Sequence, residues 1–317
     1  MIQPLSRLRR RLQEIPRETV IAVIVAVLAG SVVFWTAETL FPYHSSNHDE
    51  GVYLQQATLL LSGQLELYAG DLTDVFRPWF FIEDGSQLYP KYTPVPAAMY
   101  ALSMALFDEP RVTLAVVAAV TTALVYRLGS LAFDRRVGLV ASVVYAASPM
   151  AVITTSVFLP YAPTTMLNLT FAVLYLRAVR ENSIRSAGLA GLAVGIAFFA
   201  RPYTAVLFAI PFITHAAWTV VGSVRDRGVW PLTDPARRNA LTAAFGLTGV
   251  AVALAYNARM TGSPLVFPYE VFAPMDGPGF GERRILGHSI EYTPELAIEA
   301  NGYVLRYLAT RWFTAGL

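Results

Sequence analysis

Seven long hydrophobic runs constrain this chain more than any other feature of its sequence. The first run is long enough to cross a bilayer as a helix, which takes about 20 apolar residues. Charged residues make up only 15% of the chain, against about 25% in soluble domains. The sequence therefore predicts an all-α, polytopic membrane protein, integral to the cell membrane. The runs cover residues 19–40, 112–131, 137–158, 164–179, 184–200, 203–221 and 240–256.

The charge balance and the cysteine count exclude other classes. The formal net charge is +2 and the basic residues are scattered over the loops, so we expect no nucleic-acid partner. The chain has no cysteine, which excludes disulfides and thiolate metal sites.

The distribution of arginines predicts the orientation. Five of them (7, 9, 10, 11 and 17) precede the first run, and no small-residue cleavage pattern follows it, so we expect a retained, cytoplasmic N-terminus. Val95–Phe107 is apolar but too short for an ordinary span. If it does not cross, the cytoplasmic loops hold most of the basic residues; if it crosses, that excess disappears. The sequence thus predicts about seven spans, with Val95–Phe107 at the outer surface.

Three regions follow from this topology. Residues 1–18 form the cytoplasmic basic N-terminus, residues 19–256 the transmembrane part, and residues 257–317 an extracytoplasmic loop and a C-terminal helix. The first extracytoplasmic loop, 41–111, should carry the active site. The last loop is rich in Gly, Pro and aromatics and shows no helical or strand period. Because a helical pattern begins near residue 296, we expect the chain to be shorter than the full protein or to end in a surface helix.

The acids Asp49 and Glu50 directly follow the first span. Successive residues on a helix point about 100° apart, so one carboxylate can face a cavity while the other faces elsewhere. A carboxylate at such a place can act as a general base. The alternative is structural, since Asn47 or Asp49 would also suit the cap of the helix that follows.

Two histidines lie beside these acids. His44 and His48 are four residues apart, and with Asp49 they could bind a divalent cation if this stretch were helical. Pro42 and the two serines argue against a helix here, and interfacial histidines also serve as polar anchors. We therefore predict no metal and no cofactor, although a divalent metal is possible.

Two basic residues are candidates for binding phosphate. Lys91 is the single lysine of the chain and lies between Pro90 and Pro94, so its backbone is stiffened. Arg201 directly precedes Pro202, between two hydrophobic runs. Each could neutralise a lipid phosphate, or could merely anchor a helix end while its side chain reaches water.

The order of these features resembles the GT-C superfamily of membrane glycosyltransferases, nearest to its family 39-like group. That group includes protein O-mannosyltransferases and the aminoarabinose transferases that act on lipid A. The resemblance covers roughly residues 15–215. It rests on the Asp-Glu pair after the first span, the Pro-rich stretch around Lys91, Arg-Leu-Gly-Ser-Leu-Ala-Phe-Asp-Arg-Arg-Val-Gly-Leu-Val-Ala at 127–141, and Ala-Arg-Pro-Tyr at 200–203.

The resemblance implies a seven-span GT-C bundle that transfers a sugar, with inversion, from a polyprenyl-phosphate-linked donor on the extracytoplasmic face. The acceptor would be a glycolipid, a polysaccharide or a protein. By position, Asp49 would be the catalytic base with Glu50 as its neighbour, and Lys91 and Arg201 would bind the donor phosphate. Because aromatic faces suit sugars, we expect the substrate cleft to be lined by His48, Tyr53, Trp79, Tyr92 and Tyr161.

One motif departs from this family. Many relatives have Leu-Pro-Asp after the third span, whereas this chain has Leu159-Pro160-Tyr161. The missing second carboxylate argues against a metal held by two acids.

Two other functions fit a similar architecture. One is a transporter or lipid-carrier-binding protein without chemistry; the other is a catalytically inactive scaffold. Transporters often show inverted repeats and broken helices near the midplane. The sequence indicates neither, and its acids lie at the surface instead of within a span.

Overall fold

The computed structural model describes residues 16–228 and 232–312. Most of the predicted basic N-terminus, up to residue 15, lies outside the described residues. Phe313, where the helical pattern that begins near residue 296 ends, also lies outside them. The described chain forms two compact units. Unit 1 comprises the described residues of Met1–Ser45 and Leu102–Ala251, and unit 2 those of Ser46–Ala101 and Val252–Leu317.

The elements follow one another along the chain in a mostly helical order. The N-terminal half contains α1 (Arg17–Leu40), α2 (Asp49–Leu61), β1 (Leu67–Tyr68), β2 (Phe81–Asp84), β3 (Gln87–Pro90), α3 (Val95–Phe107), α4 (Arg111–Ala132), α5 (Arg135–Ala146) and α6 (Pro149–Thr155). The C-terminal half contains α7 (Tyr161–Arg180), α8 (Ile184–Ala200), α9 (Pro202–Arg227), α10 (Asp234–Thr261), α11 (Pro268–Phe272), β4 (Gly281–Ile285), β5 (His288–Tyr292) and α12 (Pro294–Tyr307).

Six of the seven predicted hydrophobic runs each lie in one helix, and the seventh is divided between α5 and α6, which confirms the helical membrane architecture. Four helices of the described chain are long and apolar enough to cross a membrane: α1, α4, α9 and α10. The pair α5 and α6 gives a fifth span if it is counted as one broken crossing. Of the other two runs, α8 is shorter, at 17 residues, and α7 carries polar residues along its length. The number of seven spans stays a prediction.

The run 137–158, expected as one helix, is bent by 62° between α5 and α6. The cause is local. Ser148 caps the new helix by accepting a hydrogen bond from the Ala151 N–H, and Pro149 occupies its first turn. Proline favours the first turn of a helix and disfavours helical backbone in the residue before it, so the chain restarts here instead of continuing straight.

Unit 1 packs through small residues and exposes its large apolar ones. Helix α1 buries Ala22, Ala26, Ala29, Gly30 and Val33 in one stripe. Its exposed side chains include Val20, Ile21, Val23, Ile24, Val27 and Leu28. A soluble helix shows the opposite arrangement, whereas membrane helices approach one another through small side chains and turn large apolar ones to lipid.

Helices α8 and α10 approach closely through glycines. A Cβ atom added to Gly249 would lie 2.4 Å from the backbone carbonyl carbon of Gly195. A Cβ at Gly191 would lie 2.4 Å from the carbonyl oxygen of Thr242. Only glycine allows two helix backbones to come this near.

Unit 2 contains the short strands, which the sequence did not indicate. Strands β2 and β3 form an antiparallel hairpin, with Phe81 opposite Pro90, and β1 pairs with the other edge of β3. Strands β4 and β5 form a second hairpin in the last loop, where no strand period was expected. Because β5 is exposed along most of its length, it has no buried face and therefore no alternating hydrophobic pattern to detect.

The helices predicted outside the seven hydrophobic runs are confirmed. The helix expected to begin at Asp49 and Glu50 is α2, and Val95–Phe107 is α3 with the expected bounds. The C-terminal helix is α12, followed by a π-helical turn at Leu308–Trp312. The position of α3 at the membrane surface and the division into three regions stay predictions.

The glycine contact between α8 and α10 can be tested by a single methyl group. We expect Gly249→Ala to lower the free energy of unfolding by about 1–3 kcal/mol, the usual effect of overpacking, because its Cβ would press on the backbone of Gly195. The measurement is thermal unfolding of the detergent-solubilised protein, followed by tryptophan fluorescence.

Gly222→Ala is the matched control for this measurement. A Cβ at Gly222, on α9, meets no atom within 4 Å. Alanine there should be neutral or should stabilise by up to about 1 kcal/mol, because it is the better helix former. Equal thermal stability of the two variants would contradict the close packing of α8 against α10.

Candidate active site

The site of unit 2 begins at the first turn of α2. The side-chain oxygen of Asn47 accepts a hydrogen bond from the Asp49 N–H at 3.0 Å. Asn47 therefore satisfies a backbone N–H group at the start of α2. The Asp49 carboxylate is therefore available for other contacts, and its negative charge suits the positive end of the helix dipole. Its side chain is 26% exposed.

Lys91 lies beside Asp49 because of the β2–β3 hairpin. The Lys91 N–H donates to the Phe80 carbonyl at 3.1 Å, which extends the ladder one step beyond the strands. Its ammonium nitrogen, Nζ, lies 3.5 Å from Oδ1 of Asp49. The side chain is only 5% exposed, so this ion pair is largely removed from water on the lysine side.

Four aromatic rings surround the Lys91 ammonium, and we call them the aromatic cage. Nζ lies 3.5 Å from the ring centre of Phe80, 4.6 Å from that of Phe272, 4.7 Å from that of Tyr92 and 5.7 Å from that of Tyr269. Ring faces attract cations. Burial nevertheless lowers the pKa of Lys91, and the nearby Asp49 carboxylate opposes that shift.

Tyr92 connects the two charged groups. Its hydroxyl hydrogen-bonds with the Asp49 carboxylate, and burial together with that negative charge raises the pKa of Tyr92. The ring of Tyr92 stacks on Tyr53, with centres 4.8 Å apart, and more loosely on Tyr269, at 6.4 Å. The backbone carbonyl of Tyr92 accepts a hydrogen bond from Gln56 at 3.1 Å. Tyr92 is therefore held from both sides as a protonated donor to Asp49.

Phe80 has a strained backbone. Its φ angle is +61°, in the left-handed region that a bulky side chain rarely adopts. Such a conformation costs about 1–3 kcal/mol and persists where the surroundings require it. Here it places the Phe80 ring against the Lys91 ammonium and its carbonyl on the Lys91 N–H.

Three other predicted residues lie in unit 2. His48 stacks on Trp79 with ring centres 5.1 Å apart, and Trp79 meets Phe80 edge to face at 5.5 Å. Glu50 is fully buried, so Asp49 and Glu50 do point to different environments, as their spacing on a helix requires.

Arg201 and Tyr161 lie together in unit 1. Arg201 joins the end of α8 to the start of α9, with Pro202 in the first turn. Its guanidinium carbon lies 4.6 Å from the centre of the Tyr161 ring. The catalytic and binding roles assigned to Arg201, Tyr161 and the unit 2 residues stay predictions.

Of the four rings of the aromatic cage, the sequence singled out only Tyr92, and Phe80 is the neighbour of the predicted Trp79. Phe272 and Tyr269 come from α11, almost two hundred residues after Phe80, and only the abundance of aromatics in the last loop pointed towards them. Arg111 in unit 1 was also missed: it donates to both carboxylate oxygens of Glu109 at 3.1 Å and to the Pro42 carbonyl.

No group of three or more His, Cys, Asp or Glu side chains that could hold a metal ion occurs within residues 16–228 and 232–312. Of the predicted candidates, the His48 ring is stacked on Trp79. The Nδ1 atom of His44 lies within hydrogen-bond distance of the Ser45 carbonyl.

Known proteins can be compared with this chain at the level of sequence and of fold. No curated protein sequence matches it. The crystal structure of the oligosaccharyltransferase of Archaeoglobus fulgidus in the apo form is similar in fold, with 15% sequence identity and a TM-score of 0.49. That match covers 94% of this chain and 34% of the archaeal chain, so the chain spans about a third of that protein's length.

The sequence model of the dolichyl-phosphate-mannose-protein mannosyltransferase family matches residues 91–233. The match begins at Lys91 and includes Tyr92, Tyr161 and Arg201, whereas Asp49 precedes it. Together with the apolar helices, it identifies an integral membrane protein. Over these residues the chain is similar to that mannosyltransferase family, in agreement with the resemblance to the GT-C superfamily that the sequence motifs indicate.

Proposed function

We propose that the protein transfers a sugar from a polyprenyl-phosphate-linked donor to an extracytoplasmic acceptor, with inversion at the anomeric carbon. Asp49 is the general base and Lys91 binds the phosphate of the donor. The observation that carries this proposal is the contact of 3.5 Å between the Lys91 ammonium and the Asp49 carboxylate. It brings a base and a phosphate-binding cation together, as the transfer requires.

The reaction needs one proton transfer and one displacement. An acceptor hydroxyl attacks the anomeric carbon while Asp49 takes its proton. The bond between the anomeric carbon and the phosphate oxygen breaks, and its electron pair leaves with the polyprenyl phosphate. Negative charge therefore grows on the departing phosphate, and a preorganised cation in a water-poor site stabilises it strongly.

Lys91 meets that requirement because its position is fixed before the donor arrives. The aromatic cage and Asp49 hold the ammonium, so little reorganisation is needed when phosphate charge develops. The donor phosphate also competes with Asp49 for this cation. A phosphate bound to the ammonium in its cage would weaken the pairing of that ammonium with the carboxylate, so that Asp49 becomes free to accept a proton only when donor is present.

Arg201 is proposed as a second phosphate ligand. Tyr53, Trp79, Tyr92, Tyr161 and His48 are proposed to bind the substrates. The proposed orientation places the N-terminus in the cytoplasm and the site outside. Support for it comes from the arginines before α1 and from the excess of basic residues in the loops assigned to the cytoplasm.

Replacement of the base tests the proposal directly. We expect Asp49→Asn to reduce sugar transfer by about 10²–10⁴-fold, the contribution usual for a positioned general base, because an amide cannot take up the proton. The measurement is transfer of label from a radiolabelled polyprenyl-phosphate sugar to envelope acceptors in isolated membranes.

Asp74→Asn is the control, because Asp74 is an exposed acid of the same unit. It should keep full transfer and unfold at the wild-type temperature. Asp49→Asn leaves the buried Lys91 ammonium without its carboxylate, so this variant should unfold at a lower temperature, and transfer is measured well below that temperature. A transporter, a lipid-carrier-binding protein or an inactive scaffold would be indifferent to the change at Asp49. Full transfer by Asp49→Asn therefore overturns the proposed base.

The titration of Lys91 gives a pH dependence with a definite sign. Because burial lowers the pKa of Lys91, its ammonium loses its proton at a lower pH than a lysine in water. Donor binding should therefore weaken as the pH rises through that lowered pKa, and kcat/KM for the donor should fall on the alkaline side. Tyr92 will not add to this fall, because its own pKa is raised.

The variant Lys91→Arg distinguishes loss of the positive charge at high pH from a change in the shape of the side chain. A guanidinium stays charged throughout the accessible range, so the variant should lose the alkaline fall in kcat/KM even if its donor KM increases. Lys91→Gln should show weak donor binding at every pH. Because the chain has one lysine, no other lysine can account for the profile, and an unchanged alkaline fall in Lys91→Arg would exclude Lys91 as its source.

A further inference from the structure

A groove of about 760 Å³ lies in unit 2. One wall is the segment that leads into and along β2, and the other is formed by α11 and the turn between β4 and β5. Its lining residues are Arg77, Pro78, Trp79, Phe80, Phe81, Ile82, Glu83, Gly85, Val271, Phe272 and Leu286. We call this space the β2 groove.

The β2 groove shares two rings with the aromatic cage. Phe80 and Phe272 line the groove and also contact the Lys91 ammonium, at 3.5 and 4.6 Å from their ring centres. The two rings touch edge to face, with centres 5.4 Å apart. A molecule in the groove would therefore end against the same rings that hold the proposed phosphate-binding cation.

The groove presents an exposed aromatic face next to the first turn of α2, which carries Asp49. Trp79 is 66% exposed, although its ring is fixed by stacking on His48, the residue before Asp49. The electron-rich face of an indole attracts the weakly positive C–H bonds on one face of a sugar ring. A rigid, exposed tryptophan is a suitable platform for a saccharide.

The groove also carries a charged pair suited to hydroxyl groups. Nη1 of Arg77 lies 3.3 Å from Oε2 of Glu83, and the side chains are 56% and 36% exposed. An ion pair this exposed adds little to folding stability. It does offer several N–H donors and carboxylate acceptors side by side, which matches the adjacent hydroxyls of a sugar.

We propose that the β2 groove binds the saccharide portion of the acceptor, so that the acceptor of this enzyme is a carbohydrate. The sugar stacks on Trp79 and its hydroxyls hydrogen-bond to Arg77 and Glu83. This inference rests on the proposed function, because it names the acceptor class for the same Asp49 and Lys91.

Two other occupants fit the groove less well. An extended peptide would pair with the free edge of β2, but that strand has four residues and α11 packs against it. A polyprenyl tail would bring hydrocarbon against the Arg77–Glu83 pair, and removing charges from water without new hydrogen bonds is costly.

Kinetics with the full chain in membranes test the groove. Trp79→Ala and Arg77→Ala should each lower kcat/KM for the acceptor by about tenfold or more, the usual effect of lost pocket contacts, while the donor KM stays within about twofold of wild type. The labelled product should resist protease and should fractionate with polysaccharide or glycolipid; separating the two identifies which source supplies the saccharide.

Two variants serve as matched controls. Trp35 has the same exposure as Trp79, at 66%, and lies on α1. Arg177 forms an exposed ion pair with Glu181 at 2.8 Å on α7. Trp35→Ala and Arg177→Ala should keep the wild-type kcat/KM for the acceptor. Equal losses in the control and groove variants would overturn the proposal, and so would a protease-sensitive product.

A binding measurement separates failure of the groove from failure of the proposed reaction. The probe is the saccharide fraction released by mild acid from envelopes of cells that lack the protein, and binding to the purified chain is followed by saturation-transfer NMR. Wild type, Asp49→Asn and Trp35→Ala should bind the saccharide and give a saturation-transfer signal, and Trp79→Ala should lose that signal. If Asp49→Asn retains activity while binding follows this pattern, only the catalytic proposal fails; if binding is absent or insensitive to Trp79→Ala, the groove proposal fails.

Discussion

Burial of one ammonium group governs the arrangement of unit 2. An isolated charge removed from water is costly unless it is paired, and Lys91 has one carboxylate and the faces of four rings as partners. The hairpin, the first turn of α2 and the short helix α11 each supply part of that environment. The strain at Phe80 has the same origin, since a relaxed backbone would not bring its ring and its carbonyl to Lys91 together.

The pairing also explains why desolvation outweighs attraction in setting the lysine pKa. Asp49 is a single, partly exposed carboxylate, and it reaches Nζ at 3.5 Å, longer than the best charged hydrogen bonds. Ring faces favour the cation but do not replace its water shell fully. The result is a lysine whose pKa is lowered and whose pairing with Asp49 is loose enough for a more highly charged ligand to compete with that carboxylate.

The membrane helices could be predicted from the sequence because the bilayer demands long apolar segments. The break at Ser148 and Pro149 shows the limit of that reasoning: hydrophobicity continues across it, and only the local backbone preference stops the helix. The sequence indicated Asp49 and Lys91 as candidate site residues, because Asp49 directly follows the first span and Lys91 lies between two prolines. Their contact could not, because it depends on the register of a hairpin whose strands are too short and too exposed to leave a period. The approach of Phe272 depends on a contact distant along the chain, which no local pattern encodes.

The chain's single lysine gives the aromatic cage an unusual spectroscopic advantage. Reductive methylation with ¹³C-formaldehyde would modify this one side-chain amine and the α-amino group of a free N-terminus, and no other group. At 5% exposure, Lys91 should react slowly while the cage is closed and faster whenever the rings separate. The two ¹³C-methyl resonances, lying over four ring faces, would be displaced upfield, so they would report each opening of the cage without any engineered label.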